Sequence, residues 1–245
     1  MQGNLFWEEM MADIFTEAVK LYGLRKYDES LRRLESILVS DGQDVDLDVI
    51  YYIGLCYVRI SKPDEAMQFF EQIVTVCKDE KRCNQCRLIL AVLYVQTGRF
   101  TLADYELRKL LQNGCQTVPV LTVLGYAAWA QKRTNEAVDW YAKALEIEPD
   151  NATALNGYGY VLACDSKDLT RALSLCRKAL EISPESAAYL DSIAWVYYKL
   201  GLLKEAKSYI KKAKARNPKH DEILNHYRII YEQMADNSRS SIQGR

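Results

Sequence analysis

The one constellation in this sequence that suggests chemistry is a group of three thiols, Cys77, Cys83 and Cys86. Cys83-Asn84-Gln85-Cys86 places two of them three residues apart, on one face of a helix start. Such a pair can bind a metal or cycle between dithiol and disulfide. Tetrahedral zinc needs four ligands, and no second cysteine pair or histidine stands nearby in the sequence. The two histidines, His220 and His226, lie near the other end of the chain. The competing reading is of plain thiols at a junction between structural segments. Asn151-Ala152-Thr153 fits a glycosylation acceptor but reads better as a turn preceding a helix. The chain has no Gly-rich phosphate loop, no nucleophile motif and no carboxylate pair outside solvated helix faces, so neither enzymatic activity nor a cofactor or metal is expected.

The remaining composition points to binding rather than chemistry. Of 245 residues, 49% are apolar and 27% charged, which suits a folded chain. The formal charge of −1 leaves no footprint for nucleic acid or an anionic membrane. No apolar run approaches the roughly 20 residues of a membrane span. Met1-Gln2-Gly3-Asn4-Leu5-Phe6-Trp7 lacks the basic start and apolar core of a secretory signal. The seven cysteines are odd in number and mostly fall within helical pattern. They read as reduced thiols used as small hydrophobes, and a cytoplasmic location is expected.

The elements that must position any binding residues are set by a period. Three segments end alike, at Ala144-Leu145-Glu146-Ile147-Glu148-Pro149, Ala179-Leu180-Glu181-Ile182-Ser183-Pro184 and Ala213-Lys214-Ala215-Arg216-Asn217-Pro218. Their prolines fall 35 and then 34 residues apart. Seven residues before each closing alanine stands another, at Ala137, Ala172 and Ala206, with Tyr141, Cys176 and Ile210 between. A fixed period near 34 specifies a repeat array of helix–turn–helix modules.

Read in order, residues 1–10 form a lead-in whose Leu5, Phe6 and Trp7 either pack on the first helix or end a mobile segment. Six repeats follow, at 11–46, 47–80, 84–117, 118–151, 152–186 and 187–220. Each holds two helices of about 14 residues, near 20 Å long. Asp41-Gly42-Gln43-Asp44 is read as a turn, and Pro63 sits where a first helical turn accepts it. Gly54 and Ala91 mark places where another helix approaches closely. The fifth repeat carries an extra residue around Ser166-Lys167-Asp168. Residues 221–235 form a capping helix over the last apolar face, and 236–245 a disordered polar tail.

A small residue on each first helix, alanine at two places on each second helix and a closing proline resemble the tetratricopeptide repeat. The match is best in the last three repeats and weakest in the first, where Ser30 replaces the expected alanine. Lys132-Arg133-Thr134 departs from the usual Gly-containing turn. Leu155-Asn156-Gly157-Tyr158-Gly159-Tyr160 and Tyr189-Leu190-Asp191-Ser192-Ile193-Ala194-Trp195-Val196-Tyr197-Tyr198 are similar to bacterial members. The resemblance implies an all-α fold, a right-handed α-solenoid of about six antiparallel helix pairs plus the capping helix. It implies a concave groove lined by the first helices that binds peptides, helices or partner proteins, and no chemistry.

The family's geometry places a partner-binding line at Tyr51, Tyr126, Trp129, Asn156, Tyr160, Asp191, Trp195 and Tyr198, with Leu55, Leu88, Val92 and Thr122 alongside. The line is rich in aromatics and poor in charge. Aromatics give large contact area at low entropy cost. Asn156 can bond both N–H and C=O of a bound backbone. The competing reading packs Trp129, Tyr160 and Trp195 between helices. Some family members grip a terminal carboxylate with cations, but here Phe15, Val19, Tyr52, Ala188 and Ser192 occupy those positions, so no clamp is expected.

The expectation is a non-enzymatic scaffold or adaptor that takes a protein or peptide partner in its groove. Self-association through the convex face or the N-terminal aromatics is a second reading, and a Cys83/Cys86 thiol or metal sensor a third.

Overall fold

Apolar residues recurring at helical spacing produce thirteen α-helices and no strand among the described residues. A computed structural model describes the backbone of residues 2–40 and 46–243 and the side chains of 10–38 and 46–237. The chain divides into two bodies, residues 1–115 and 116–245. The first holds α1 (Gln2–Gly23), α2 (Tyr27–Ser40), α3 (Leu47–Arg59), α4 (Pro63–Val76), α5 (Glu80–Gln96) and α6 (Phe100–Gln112). The second holds α7 (Val118–Ala130), α8 (Thr134–Ile147), α9 (Ala152–Cys164), α10 (Leu169–Ile182), α11 (Ala187–Lys199), α12 (Leu203–Arg216) and α13 (Asp221–Gln243). Consecutive helices pair, and within each body each pair packs on the next.

The same turn joins the two helices of every pair. Its central residue is left-handed six times, at Arg25, Ser61, Gly98, Lys132, Ser166 and Gly201. The two bonds that close it recur too. In the fourth repeat Lys132 N–H donates to the Trp129 carbonyl at 2.8 Å and Arg133 N–H to the Ala128 carbonyl at 2.9 Å. This pair of bonds satisfies carbonyls that a helix end leaves open, so the geometry persists even where glycine is missing. The repeats close by another shared device. Glu148, Ser183 and Asn217 donate to the carbonyls of Ala144, Ala179 and Ala213. The proline that follows each has no N–H and stops the helix.

Packing explains the small residues. A Cβ on Gly54 would lie 2.9 Å from the Phe70 ring, and one on Gly125 would lie 2.8 Å from the Tyr141 ring. A Cβ on Gly159 would lie 2.6 Å from the Cys176 sulfur and 2.9 Å from the Ala172 carbonyl. Where a second helix carries Leu107 or Ile210 instead, Ala91 and Ala194 stand in the glycine's place. Tyr141 is held twice, because its ring also lies 2.4 Å from a Cβ built on Gly157 of the next pair. Ser30, in an alanine's place, is fully buried and donates to the Ala18 carbonyl at 2.7 Å. A buried hydroxyl with a partner is tolerated where one without would cost.

Three boundaries differ from expectation. α1 begins at Gln2, so residues 2–10 belong to the first helix; no proline or glycine interrupts 4–22. α5 begins at Glu80, four residues before the expected 84, because Asp79 caps it by accepting from Lys81 N–H at 3.1 Å. α13 runs to Gln243 through most of the stretch read as a disordered tail, there being no helix breaker before Gly244. The side chains of Leu5, Phe6 and Trp7, and the turn at 41–44, lie outside the described residues.

Candidate partner-binding site

In the second body the first helices α7, α9, α11 and α13 lie side by side. Their rings touch in an unbroken series. Tyr126 and Trp129 of α7 are 5.6 Å apart between centroids, and Trp129 meets Tyr160 of α9 edge-on at 5.3 Å. Tyr160 approaches His226 of α13 at 6.1 Å. His226 stacks on Trp195 of α11 at 4.1 Å, and Trp195 stacks on Tyr198 at 4.9 Å. Tyr126 is 41% exposed, while Trp129, Tyr160, Trp195 and Tyr198 are half-buried. Five residues of the expected line are thus brought together, and each of the three read as inter-helix packing keeps an exposed part.

Polar groups run beneath the rings. Asp191 is 5% exposed, as is His226, and His226 Nδ1 lies 2.9 Å from Asp191 Oδ2. Asp191 therefore faces α13 and not the open surface, which corrects its assignment to the line. Burial pushes its carboxyl up, against the pull of the His226 hydrogen bond and charge. Thr122 is likewise buried and donates to the Pro119 carbonyl of its own helix at 3.0 Å. The Tyr160 hydroxyl donates to Glu222 Oε1 at 2.6 Å and lies 3.5 Å from His226 Nε2. Burial raises the Tyr160 phenol, and the nearby Cys164 thiol and Glu222 carboxylate raise it further. Asn156 has its Oδ1 buried without a partner. Trp195 Nε1 is buried without a hydrogen bond of normal geometry; the polar group beside it is the Cys164 thiol, a weak acceptor.

Glu222 and His226 were missed because α13 read as a cap. Glu222 and His226 lie one 34-residue period after Ala188 and Ser192, the clamp positions of α11, so α13 continues the first-helix register. A seventh first helix completes the face as well as covering α12.

Tyr51 lies in the first body, on an open cavity of about 450 Å³. Phe15, Val19 and Tyr52, the residues in the clamp positions, line it with Asp48, Asp79, Lys81, Arg82 and Gln85. Arg82 lies over the Tyr51 ring at 4.4 Å and pairs with Asp48. The early start of α5 brings Lys81 and Arg82 into its first turn, beside the residues that occupy the clamp positions. Phe15, Tyr22 and Tyr51 all meet Tyr52 edge-on, at 5.7 to 5.8 Å.

The thiols separate. Cys86 is fully buried and its pKa is pushed up to about 12 by that burial, far from thiolate character at neutral pH. Cys77 and Cys83 are half-buried. Among the described residues no group of three or more His, Cys, Asp or Glu is placed to hold a metal ion.

These features define an all-α solenoid of helix pairs whose first helices present aromatic faces. Models of the tetratricopeptide repeat match residues 48–77, 90–152, 122–187 and 163–225. The chain belongs to the tetratricopeptide repeat family. It is 37% identical over 74 residues to the TPR repeat-containing protein PA4667 of Pseudomonas aeruginosa, a match covering 30% of this chain and 12% of that one. A tetratricopeptide repeat protein of Parabacteroides merdae superposes with a TM-score of 0.72 at 13% identity, over 90% of this chain and 84% of that one. A thermophilic TPR protein of Thermus thermophilus, TTC0263, does so with 0.63 at 19% identity, over 76% and 99%. The family fold is generally a protein–protein interaction scaffold. No helix among the described residues is long and apolar enough to cross a membrane.

Proposed function

We propose that this protein is a non-enzymatic adaptor that holds a segment of a partner protein along the first-helix face of its second body. The observation that carries the reading is the unbroken run of ring contacts from Tyr126 to Tyr198, across three successive repeats and through His226 of α13. Rings with a polar edge supply the contact area on which hot spots are built, and they lose little rotamer freedom on binding. The buried, unpaired Asn156 amide oxygen adds an acceptor that a peptide N–H would satisfy. An extended segment or one face of a helix fits such a strip.

A photoreactive p-benzoylphenylalanine at position 126 tests this in the source cell. A protein adduct is expected there, and the Tyr126→Ala/Trp195→Ala variant should lose that partner in co-purification while keeping its helical circular dichroism. If the same partner crosslinks only from position 105, on the exposed face of α6, the reading is wrong.

A further inference from the structure

We propose that the partner segment carries an arginine whose guanidinium sits over Tyr126 and Trp129 and pairs with Glu222. This inference rests on the adaptor reading above and names the chemistry of what is bound. Three aromatic rings, Tyr126, Trp129 and Tyr160, meet in series at 5.6 and 5.3 Å on α7 and α9. Ring faces are electronegative and attract cations lying within about 6 Å of the centroid. Tyr126 stays 41% exposed, so a ring remains open to a ligand.

Glu222 supplies the charge. Its Oε1 is pinned by the Tyr160 hydroxyl at 2.6 Å, which orients the carboxylate beside the rings. That bond is its hydrogen-bonding partner within the chain, and among the described residues no cation pairs with it. Burial raises the Tyr126 hydroxyl and the Glu222 carboxylate raises it further, which agrees with a negative charge on this side of the strip. The second carboxylate nearby, Asp191, is already held by His226. Lys199 stands over Trp195, on the α11 side of the strip, and also acts on the Cys164 thiol beside Tyr160. The α7/α9/α13 end therefore combines open π surface with a carboxylate that has no ion pair among the described residues. A flat guanidinium satisfies both, stacking on a ring and bonding a carboxylate through its edge; a lysine ammonium does only the second as well.

The contrast with the first body supports this assignment. The cavity beside Tyr51 already has its own guanidinium, Arg82, on the ring and paired with Asp48. At the Tyr126 end of its strip the second body also has rings and a carboxylate, and among the described residues no cation lies over Tyr126, Trp129 or Tyr160 or pairs with Glu222.

The test uses the full chain and three fluorescein-labelled degenerate peptide pools with four random residues on each side of a fixed Arg, citrulline or Glu. Citrulline keeps the shape of arginine without its charge. Fluorescence anisotropy should show the Arg pool binding about tenfold more tightly than the citrulline pool, the scale of one cation–π contact with a carboxylate. Glu222→Gln retains an acceptor for Tyr160 and should reduce that ratio towards one, with the thermal melt unchanged. Tyr126→Ala should weaken the Arg pool most. Equal binding of the Arg and citrulline pools, tighter binding of the Glu pool, or an undiminished ratio in Glu222→Gln overturns the proposal while leaving the adaptor reading in place. No binding of any pool overturns both.

Discussion

The two bodies use aromatic residues differently, although both are built from the same repeat. In the first body Phe15, Tyr22 and Tyr51 meet Tyr52 edge-on around a cavity, and Arg82 with Asp48 closes a local charge balance. In the second body the rings form a strip, and the buried, hydrogen-bonded Asp191–His226 pair lies beneath it. The cores differ in the same sense. Phe70 rests against one glycine, whereas Tyr141 is wedged between Gly125 and Gly157 of two successive pairs. One pattern of small and large residues thus tolerates very different surfaces, because the repeat's packing uses other positions than its face does.

The strongest challenge to this comparison is removal of the two ring wedges. Tyr141→Ala should lower stability by about 3–5 kcal/mol and Phe70→Ala by a similar or smaller amount, in urea denaturation of the full chain. A clearly larger loss at Phe70 would mean that bridging two pairs adds nothing. Next come the glycines themselves. Gly157→Ala forces a Cβ to 2.4 Å from a buried ring and should cost about 1–3 kcal/mol. Gly54→Ala, at 2.9 Å from the edge of Phe70, should cost less, and equal losses would remove the distinction.

The polar contrast is tested by cutting one partner from each kind of pair. Asp191→Ala strands a buried imidazole and should cost about 1–3 kcal/mol. Arg99→Ala breaks the exposed Arg99–Asp64 pair of the first body and should cost less than about 1 kcal/mol. Comparable values would show that the Asp191–His226 pair is no more than a surface contact. The smallest effect has the opposite sign. Lys132 holds a left-handed conformation at φ 62° that glycine adopts without strain. Lys132→Gly should raise stability by about 0.5–1 kcal/mol, whereas Gly201→Lys, the reverse change in the sixth repeat, should lower it by a similar amount.

Much of the fold was legible because its cues are local. Pro149, Pro184 and Pro218 stop helices by lacking an N–H, and Ala137, Ala172 and Ala206 mark helix crossings wherever the period carries them. The missed boundaries had local reasons too: Asp79 is a cap that polarity alone does not distinguish from a loop residue, and α13 lacks a breaker before Gly244. The site was legible only in part. Tyr126, Trp129, Tyr160, Trp195 and Tyr198 share a face because helical spacing and the period together dictate it. Asp191 has the same register yet is buried, since its partner stands 35 residues away on another helix.

Sequence alone determined the helices, their pairing and the positions that face one another at close crossings. Each of these follows from interactions within a helix or between adjacent helices, and the period repeats them. Only the tertiary structure decided which polar groups are spent on one another and which stay open. The link from Tyr160 to Glu222 spans 62 residues, and the one from Asp191 to His226 spans 35. Spacing within a single helix does not encode such pairings; they exist because α13 packs beside α11 and turns one of its faces towards the strip.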